Sequence, residues 1–103
     1  MSRLAWSFSA RQDLKSIRDY IAQDSKINSR RFVQRIKKSV ASLSRFPESG
    51  SLLPEEGVPS LREIFVGNYR VIYHFDGSNT ITIVRVIHGA RLLPGNITDP
   101  SSD

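Results

Sequence analysis

The stretch LREIFVGNYRVIYHF, residues 61–75, decides the fold of this chain. Two runs of β-branched and aromatic residues flank Gly67-Asn68, and such a dipeptide between apolar runs predicts a β-hairpin with a two-residue turn. In that register Val66 pairs with Tyr69 and Phe65 pairs with Arg70. Side chains alternate between the faces of a strand, so one apolar face carries Ile64, Val66, Tyr69, Val71 and Tyr73.

The opposite face of the hairpin is half polar. It carries Leu61, Glu63, Phe65, Arg70, Ile72 and His74. An antiparallel sheet that packs helices on one side commonly leaves the other side solvated. We therefore expect this face to be open to water or to a partner.

Further strands and a loop flank the hairpin. Asp76-Gly77 begins a turn into a strand over residues 81–88. The segment 48–60 is rich in proline and glycine and predicts a loop. Near the N-terminus, residues 3–8 alternate in polarity and predict a short strand with one face formed by Leu4, Trp6 and Phe8.

Two amphipathic helices are predicted between the first strand and the loop. Ser9 is suited to cap the first, residues 10–23, whose apolar stripe is Ala10, Leu14, Ile17 and Ile21. Asp24 or Ser25 caps the second, whose stripe is Phe32, Ile36, Val40 and Leu43. The second helix must end near Phe46, because Pro47 cannot continue it. The short connection between the helices predicts an antiparallel hairpin.

The order of elements is strand, helix, helix, strand, strand, strand. It predicts an α+β fold, β-α-α-β-β-β, in which the helical hairpin packs on one face of an antiparallel sheet. We expect a single domain over residues 1–93 and a flexible C-terminal tail over residues 94–103.

Composition limits the classes of function. The chain of 103 residues has no cysteine, which excludes disulfides and thiolate metal sites. No apolar run approaches the length of a membrane span or a signal peptide. We therefore expect a cytoplasmic protein with no membrane partner, no metal and no cofactor.

The net charge of +5 is concentrated in one segment. Between residues 25 and 46 there is no acidic residue, and the basic ones are Lys26, Arg30, Arg31, Arg35, Lys37, Lys38 and Arg45. Such a stripe attracts nucleic acid or an acidic protein segment. The alternative is a solvated helix face that keeps the protein soluble.

Three motifs stand on the three strands of the meander: Leu61-Arg62-Glu63, Tyr69-Arg70-Val71-Ile72-Tyr73 and His88-Gly89-Ala90-Arg91. Together with Asp13-Leu14, Tyr20-Ile21 and Phe46-Pro47 followed by Gly50, they resemble the ParE branch of the RelE/ParE toxins over roughly residues 5–93. The resemblance implies a toxin of a type II toxin-antitoxin system that is neutralised by an acidic antitoxin encoded beside it. In such families the flexible C-terminal part of the antitoxin folds over the toxin in a hetero-oligomer. The residues expected to bind it are Arg30, Arg31, Arg35, Lys37 and Lys38.

The resemblance leaves two targets open. ParE-like proteins are associated with poisoning DNA gyrase, and RelE-like proteins cut messenger RNA on the ribosome. Cutting RNA through its own 2′-hydroxyl needs a base, an acid and cations for the phosphate. Arg70 and Arg91 match arginines of the RNA-cutting branch, and with Arg62 they are expected to bind the target or a phosphate. The paired lysines of that branch before Gly67, and its tyrosine after Arg91, are absent here.

A pair of other residues could replace the missing base and acid. Glu63 and His74 lie on the Arg70 face, so the candidates for a nuclease are Glu63, Arg70, His74 and Arg91. Glu63 could instead be the ion-pair partner of Arg70. The sequence therefore favours a non-catalytic gyrase inhibitor over a ribosome-dependent endoribonuclease, and a plain nucleic-acid-binding module is the third alternative.

The remaining motif residues have structural interpretations. His88 is expected to make a hydrogen bond that shapes the turn before Arg91, and Gly89 to adopt a special backbone conformation. Tyr69 and Tyr73 are expected to be core aromatics with an edge hydroxyl. Arg70 and Arg91 are expected to lie away from the core, so that alanine there leaves the fold nearly intact.

Overall fold

A computed structural model describes residues 2–53 and 61–89 of the chain. Within these ranges the elements are β1 (Arg3–Trp6), α1 (Phe8–Ala22), α2 (Lys26–Ser42), β2 (Ser51–Leu52), β3 (Leu61–Val66), β4 (Tyr69–Phe75) and β5 (Thr80–His88). Each predicted helix and strand is present, and β2 is an additional short strand within the predicted loop. Neither helix of the described ranges is long and apolar enough to span a membrane. The predicted tail, residues 94–103, and Arg91 lie outside the described residues.

The described strands form one sheet in the order β1-β5-β4-β3-β2. β3 and β4 pair in the predicted register, with Val66 opposite Tyr69 and Phe65 opposite Arg70. Gly67 has a φ of +59°, as the first central residue of a type II′ turn requires. β1 is parallel to β5, and the other described strand pairs are antiparallel, as predicted. A parallel pair needs a long connection, and the segments between β1 and β5 supply it.

The helices cover one face of the sheet, as predicted. The buried core between them is Ala10, Ile17, Ile36, Val40, Leu43, Val66, Val71, Tyr73, Ile81, Ile83 and Val86, with Leu14, Ile21 and Phe32 packed against it. Both predicted helical stripes and the apolar face of the hairpin are therefore confirmed. Burying each large aliphatic side chain contributes roughly 1.5–3 kcal/mol, which makes this layer the main source of stability.

The opposite face of the sheet is mostly not open to water, contrary to the prediction. Leu61 and Ile72 are fully buried and form a second apolar cluster with Val84 and Ile87. Leu53, which follows β2, packs against this cluster. That contact joins residues distant in sequence, so strand alternation could not predict it.

α1 begins two residues earlier than predicted because Ser7, not Ser9, is its N-cap. The Ser7 hydroxyl accepts a hydrogen bond from Ala10 N (3.0 Å) and donates one to Val84 O (2.9 Å). Ser7 thus joins the helix start to β5, a tertiary contact that favours it over Ser9. Phe8 consequently lies in the first turn of α1 and is exposed, not on a strand face with Leu4 and Trp6.

The second helix matches its prediction more closely. Ser25 is its N-cap, and the Ser25 hydroxyl accepts a hydrogen bond from Asn28 N. The regular helix ends at Ser42, and hydrogen-bonded turns continue to Phe46, whose N donates to Ser42 O. The chain leaves the helical path before Pro47, as its missing N–H requires.

Candidate functional site

The centre of the predicted target-binding face is an ion pair between neighbouring strands. Arg70 Nε on β4 donates to Glu63 Oε1 on β3 at 2.8 Å. Arg70 is 4% exposed and Glu63 is 7% exposed. The structure therefore places Glu63 as the ion-pair partner of Arg70, one of its two predicted roles. The expectation that Arg70 lies away from the core is wrong, because the second apolar cluster adjoins it on the same face.

Arg62, which was expected to bind the target or a phosphate, holds the segment that follows α2. Arg62 Nη1 donates to Gly50 O at 2.7 Å and to Glu48 O at 3.3 Å. Its guanidinium is thereby directed at backbone carbonyls beside β2. The described geometry supports an anchoring role for Arg62.

Tyr73 on β4 also holds the segment that follows α2. Its hydroxyl donates to Pro47 O at 2.8 Å and accepts from Gly50 N at 2.9 Å. Burial raises the pKa of Tyr73 above its usual value, so the hydroxyl remains a donor at neutral pH. Tyr73 is fully buried, as expected of a core aromatic, and its hydroxyl reaches the backbone of this segment.

Gly50 allows this segment to lie directly on the sheet. A Cβ at Gly50 would be 2.6 Å from the Tyr73 hydroxyl and 2.7 Å from Glu63 O. No side chain fits at that distance. The glycine after Phe46-Pro47 is therefore explained by close backbone approach.

His74 completes the predicted set that the structure describes. It is half-buried and lies opposite Leu61 on β3 and Thr82 on β5. By register His74 shares a face with Glu63 and Arg70, as predicted. The fourth candidate, Arg91, lies outside the described residues.

The end of β5 packs against the β3–β4 turn. The His88 ring lies edge-on to Tyr69, with ring centroids 5.7 Å apart. Gly89 N donates to Asn68 O at 2.6 Å, and a Cβ at Gly89 would be 3.0 Å from that oxygen. Gly89 is not among the described residues with a positive φ, so the special backbone conformation that we expected is absent. The glycine instead allows the chain to approach Asn68 O closely.

Asp13 joins α1 to β5 in a way that no local pattern predicts. It accepts from Arg85 Nε at 2.6 Å, from Arg85 Nη2 at 3.0 Å and from Val86 N at 2.9 Å. β1 pairs with β5 only as far as Ile83. Beyond that point the Ser7 hydroxyl donates to Val84 O and the Asp13 carboxylate accepts from Val86 N. These side chains bond the β5 backbone groups that no described strand pairs on this side. The hydrogen bond to Asp13 raises the pKa of Arg85, so the guanidinium stays protonated.

A second candidate surface is the groove between the outward sides of α1 and α2. It consists of two adjoining concavities of about 550 and 390 Å³ with apolar residues Trp6, Leu14 and Val33 in the lining. Its charged lining residues are Arg11, Lys15, Arg18, Asp19, Lys26, Arg30 and Lys37. The three basic residues of α1 are absent from the sequence-based prediction. Their spacing of four and three residues, which places them on one side of a helix, was the available signal.

The five residues predicted to bind the antitoxin fall on two sides of α2. Arg30 and Lys37 line the groove. At roughly 100° per residue, the other three, Arg31, Arg35 and Lys38, lie on the side away from it. Arg35 Nη1 is 3.8 Å from the position that a Cβ would take at Gly67, so this side of α2 lies beside the β3–β4 turn.

Solved structures with the same architecture define the class of protein. A chain of the chromosomal ParDE toxin-antitoxin system from P. aeruginosa matches with a TM-score of 0.71 and 25% identity, covering 85% of this chain and 96% of that chain. A chain of the RelBE2 toxin-antitoxin complex from Mycobacterium tuberculosis matches with a TM-score of 0.62 and 24% identity, covering 84% and 96%. The YoeB dimer from Staphylococcus aureus matches with a TM-score of 0.60 and 20% identity, covering 84% and 95%. The fold is that of the RelE/ParE superfamily.

Sequence comparison identifies the family. The chain is 37% identical over 92 residues to Toxin RelE2 of Caulobacter vibrioides, covering 89% of this chain and 100% of that protein. The family model described as ParE toxin of type II toxin-antitoxin system, parDE, matches residues 4–93. The chain belongs to this ParE toxin family, and is a toxin of a type II toxin-antitoxin system with a cognate antitoxin as its partner.

Proposed function

We propose that this toxin arrests growth by binding and inhibiting DNA gyrase, and that it does not cut RNA. The buried pair of Glu63 and Arg70 is the observation that carries this proposal. A ribonuclease of this kind needs a base that reaches the 2′-hydroxyl and cations that reach the phosphate. Here the candidate base is bonded to a candidate phosphate ligand, and both lie within the sheet. Separating them would leave an uncompensated buried charge.

The same face offers a contact for a protein target. Phe65 is 62% exposed and lies directly opposite Arg70 in the β3–β4 ladder. Aromatic side chains are common anchors of protein interfaces. We therefore assign Phe65 to target contact and Glu63 and Arg70 to the support of that face.

A second candidate function is a ribosome-dependent messenger RNA endonuclease. It is favoured by the relative named Toxin RelE2 and by the position of His74 on the same sheet face as Glu63 and Arg70. In this alternative His74 is the acid or base, and Arg91 contacts the phosphate.

A supercoiling assay with purified gyrase tests the gyrase proposal. We expect the toxin to inhibit supercoiling of relaxed plasmid and excess antitoxin to restore it. Phe65→Ser should weaken inhibition without unfolding the protein, because the side chain is exposed. Exposed Ile27→Ser on α2 is the matched control and should inhibit as the wild type does. Full supercoiling in the presence of excess folded wild-type toxin contradicts the proposal.

We further propose that an acidic segment of the antitoxin binds in the groove between α1 and α2. Trp6, Leu14 and Val33 offer apolar surface for an amphipathic segment to bury, and the basic lining attracts its carboxylates. A segment that folds on binding needs both contributions, because its ordering costs free energy.

Complex formation with the product of the neighbouring gene tests this second proposal. Lys15→Glu with Lys37→Glu should weaken the complex, because both residues line the groove. Arg31→Glu with Lys38→Glu changes the net charge equally on the other side of α2 and should leave binding nearly unchanged. Wild-type toxin and antitoxin that elute separately from a sizing column at micromolar concentration contradict the proposal.

A further inference from the structure

The side of α2 away from the groove carries its own row of cations, Arg31, Arg35 and Lys38, called here the outer stripe. All three side chains are exposed. Within residues 2–53 and 61–89 none of them takes part in an ion pair. Their spacing of four and three residues places three charges along about 10 Å of helix. The fold itself gives these charges no carboxylate partner in the described part of the chain.

We propose that the outer stripe contacts the phosphate backbone of a nucleic acid while the antitoxin occupies the groove. This inference rests on the proposed function in one respect, the assignment of the groove to the antitoxin. The two basic surfaces of α2 then serve two different polyanions at the same time.

The surroundings of the outer stripe fit a nucleic acid better than a protein. A stable protein interface has a buried apolar centre, which the groove provides through Trp6, Leu14 and Val33. On the outer side of α2, Asn28, Ser39 and Ser42 are polar, and the exposed Ile27 lies at the N-terminal end of the stripe, four residues before Arg31. Interfaces with nucleic acid are more polar and far more positively charged than protein interfaces, and at least half of their hydrogen bonds go to phosphate and sugar.

The composition and position of the outer stripe also fit phosphate. Two of its three residues are arginines, whose planar guanidinium can bond a phosphate through two N–H groups. Arg35 lies beside Gly67, and both residues of the Gly67-Asn68 turn are exposed. The glycine has no side chain to cover the Arg35 guanidinium, so the phosphate backbone of a nucleic acid can approach from this side.

Fluorescence anisotropy with the purified full-length toxin tests the proposal. The probes are a labelled random-sequence duplex DNA and a single-stranded RNA of the same length, titrated over a range of salt concentrations. The test variant is Arg31→Gln/Arg35→Gln/Lys38→Gln. The matched control, Arg11→Gln/Lys15→Gln/Lys37→Gln, removes equal charge from the groove. All six side chains are exposed, and thermal melting of both variants checks that the fold is kept.

We expect the affinity of the test variant to fall at least tenfold at low salt. The decrease in log K of the control variant should be less than half that of the test variant. Loss of three phosphate contacts should also reduce the slope of log K against log salt by about 2.7 for duplex DNA or about 2.1 for single-stranded RNA. The probe with the larger change identifies which nucleic acid supplies the phosphates.

Three results overturn the inference. They are a wild-type protein that binds neither probe, equal losses in the two variants, and a larger loss in the groove variant. None of these results bears on gyrase inhibition or on antitoxin binding, which are measured separately. Failure of the inference is therefore distinguishable from failure of the proposed function.

Discussion

At the scale of single residues, the Glu63–Arg70 ion pair is buried on the half-polar face of the β3–β4 hairpin and stabilises that face. Its two side chains are 8% and 5% exposed, with 2.8 Å between Arg70 Nε and Glu63 Oε1. Breaking one half of such a pair leaves a charge without compensation in an apolar environment. Arg70→Ala should lower the free energy of unfolding by about 3–5 kcal/mol, as measured by urea denaturation.

A paired replacement separates the ion pair from simple loss of side-chain volume. Glu63→Leu combined with Arg70→Met removes both charges and keeps the space filled, so it should recover most of the lost stability. If Arg70→Ala alone changes stability by no more than about 0.5 kcal/mol, as surface substitutions do, the pair does not stabilise the fold as described.

The buried Tyr73 hydroxyl should contribute to stability, and this contribution should depend on pH. Tyr73→Phe removes the bonds to Pro47 O and Gly50 N and should cost about 1–3 kcal/mol. Because burial raises the pKa of Tyr73, the folded protein holds this proton more tightly than the unfolded chain. The contribution is complete below the unfolded value of about 10 and is lost as the pH rises through the folded value. Above a pH of about 10, the free energy of unfolding should therefore fall more steeply with pH for the wild type than for Tyr73→Phe. Equal slopes of unfolding free energy against pH in the two proteins contradict this.

At the scale of elements, Asp13 fastens α1 to the part of β5 that β1 does not cover. Asp13→Ala should speed hydrogen exchange of the Val86 amide, because that N–H loses its acceptor. Arg85→Ala leaves the bond from Val86 N to Asp13 in place and should leave this amide slow. Exchange measured by NMR distinguishes the two variants, and equal acceleration in both would show that the salt bridge alone holds the contact.

Features set by local periodicity could be predicted from the sequence. The apolar stripes of both helices and the β3–β4 register follow from spacing and from the Gly67-Asn68 turn. Features that depend on distant residues could not. Ser7 replaces Ser9 as the N-cap because it bonds Val84, and Asp13 bonds Arg85, 72 residues away. The ion pair of Glu63 with Arg70 was one of two predicted roles, but its burial depends on the second apolar cluster.

The groove lies between these two cases. Its α1 cations, Arg11, Lys15 and Arg18, have a helical spacing that the sequence displays. Their meeting with Arg30 and Lys37 follows only from the crossing of the two helices. The division of the basic segment into two surfaces is likewise a property of helix packing.

At the scale of the whole molecule, we propose separate surfaces for separate partners. The groove between α1 and α2, proposed for the antitoxin, is lined by apolar and basic groups, and the outer stripe consists of cations. The sheet face on the other side combines exposed Phe65 with the buried pair of Glu63 and Arg70. This distribution favours a toxin that acts by occupying a protein target.

We propose that the toxin arrests growth without cutting RNA. The most direct measurement is primer extension on transcripts from cells that express the wild type or His74→Ala, beside gyrase supercoiling assays with the same two proteins. We expect both proteins to inhibit supercoiling and to leave transcripts whole. Codon-positioned cuts that vanish in His74→Ala, with supercoiling unaffected by either protein, would contradict the claim and make this toxin an endoribonuclease.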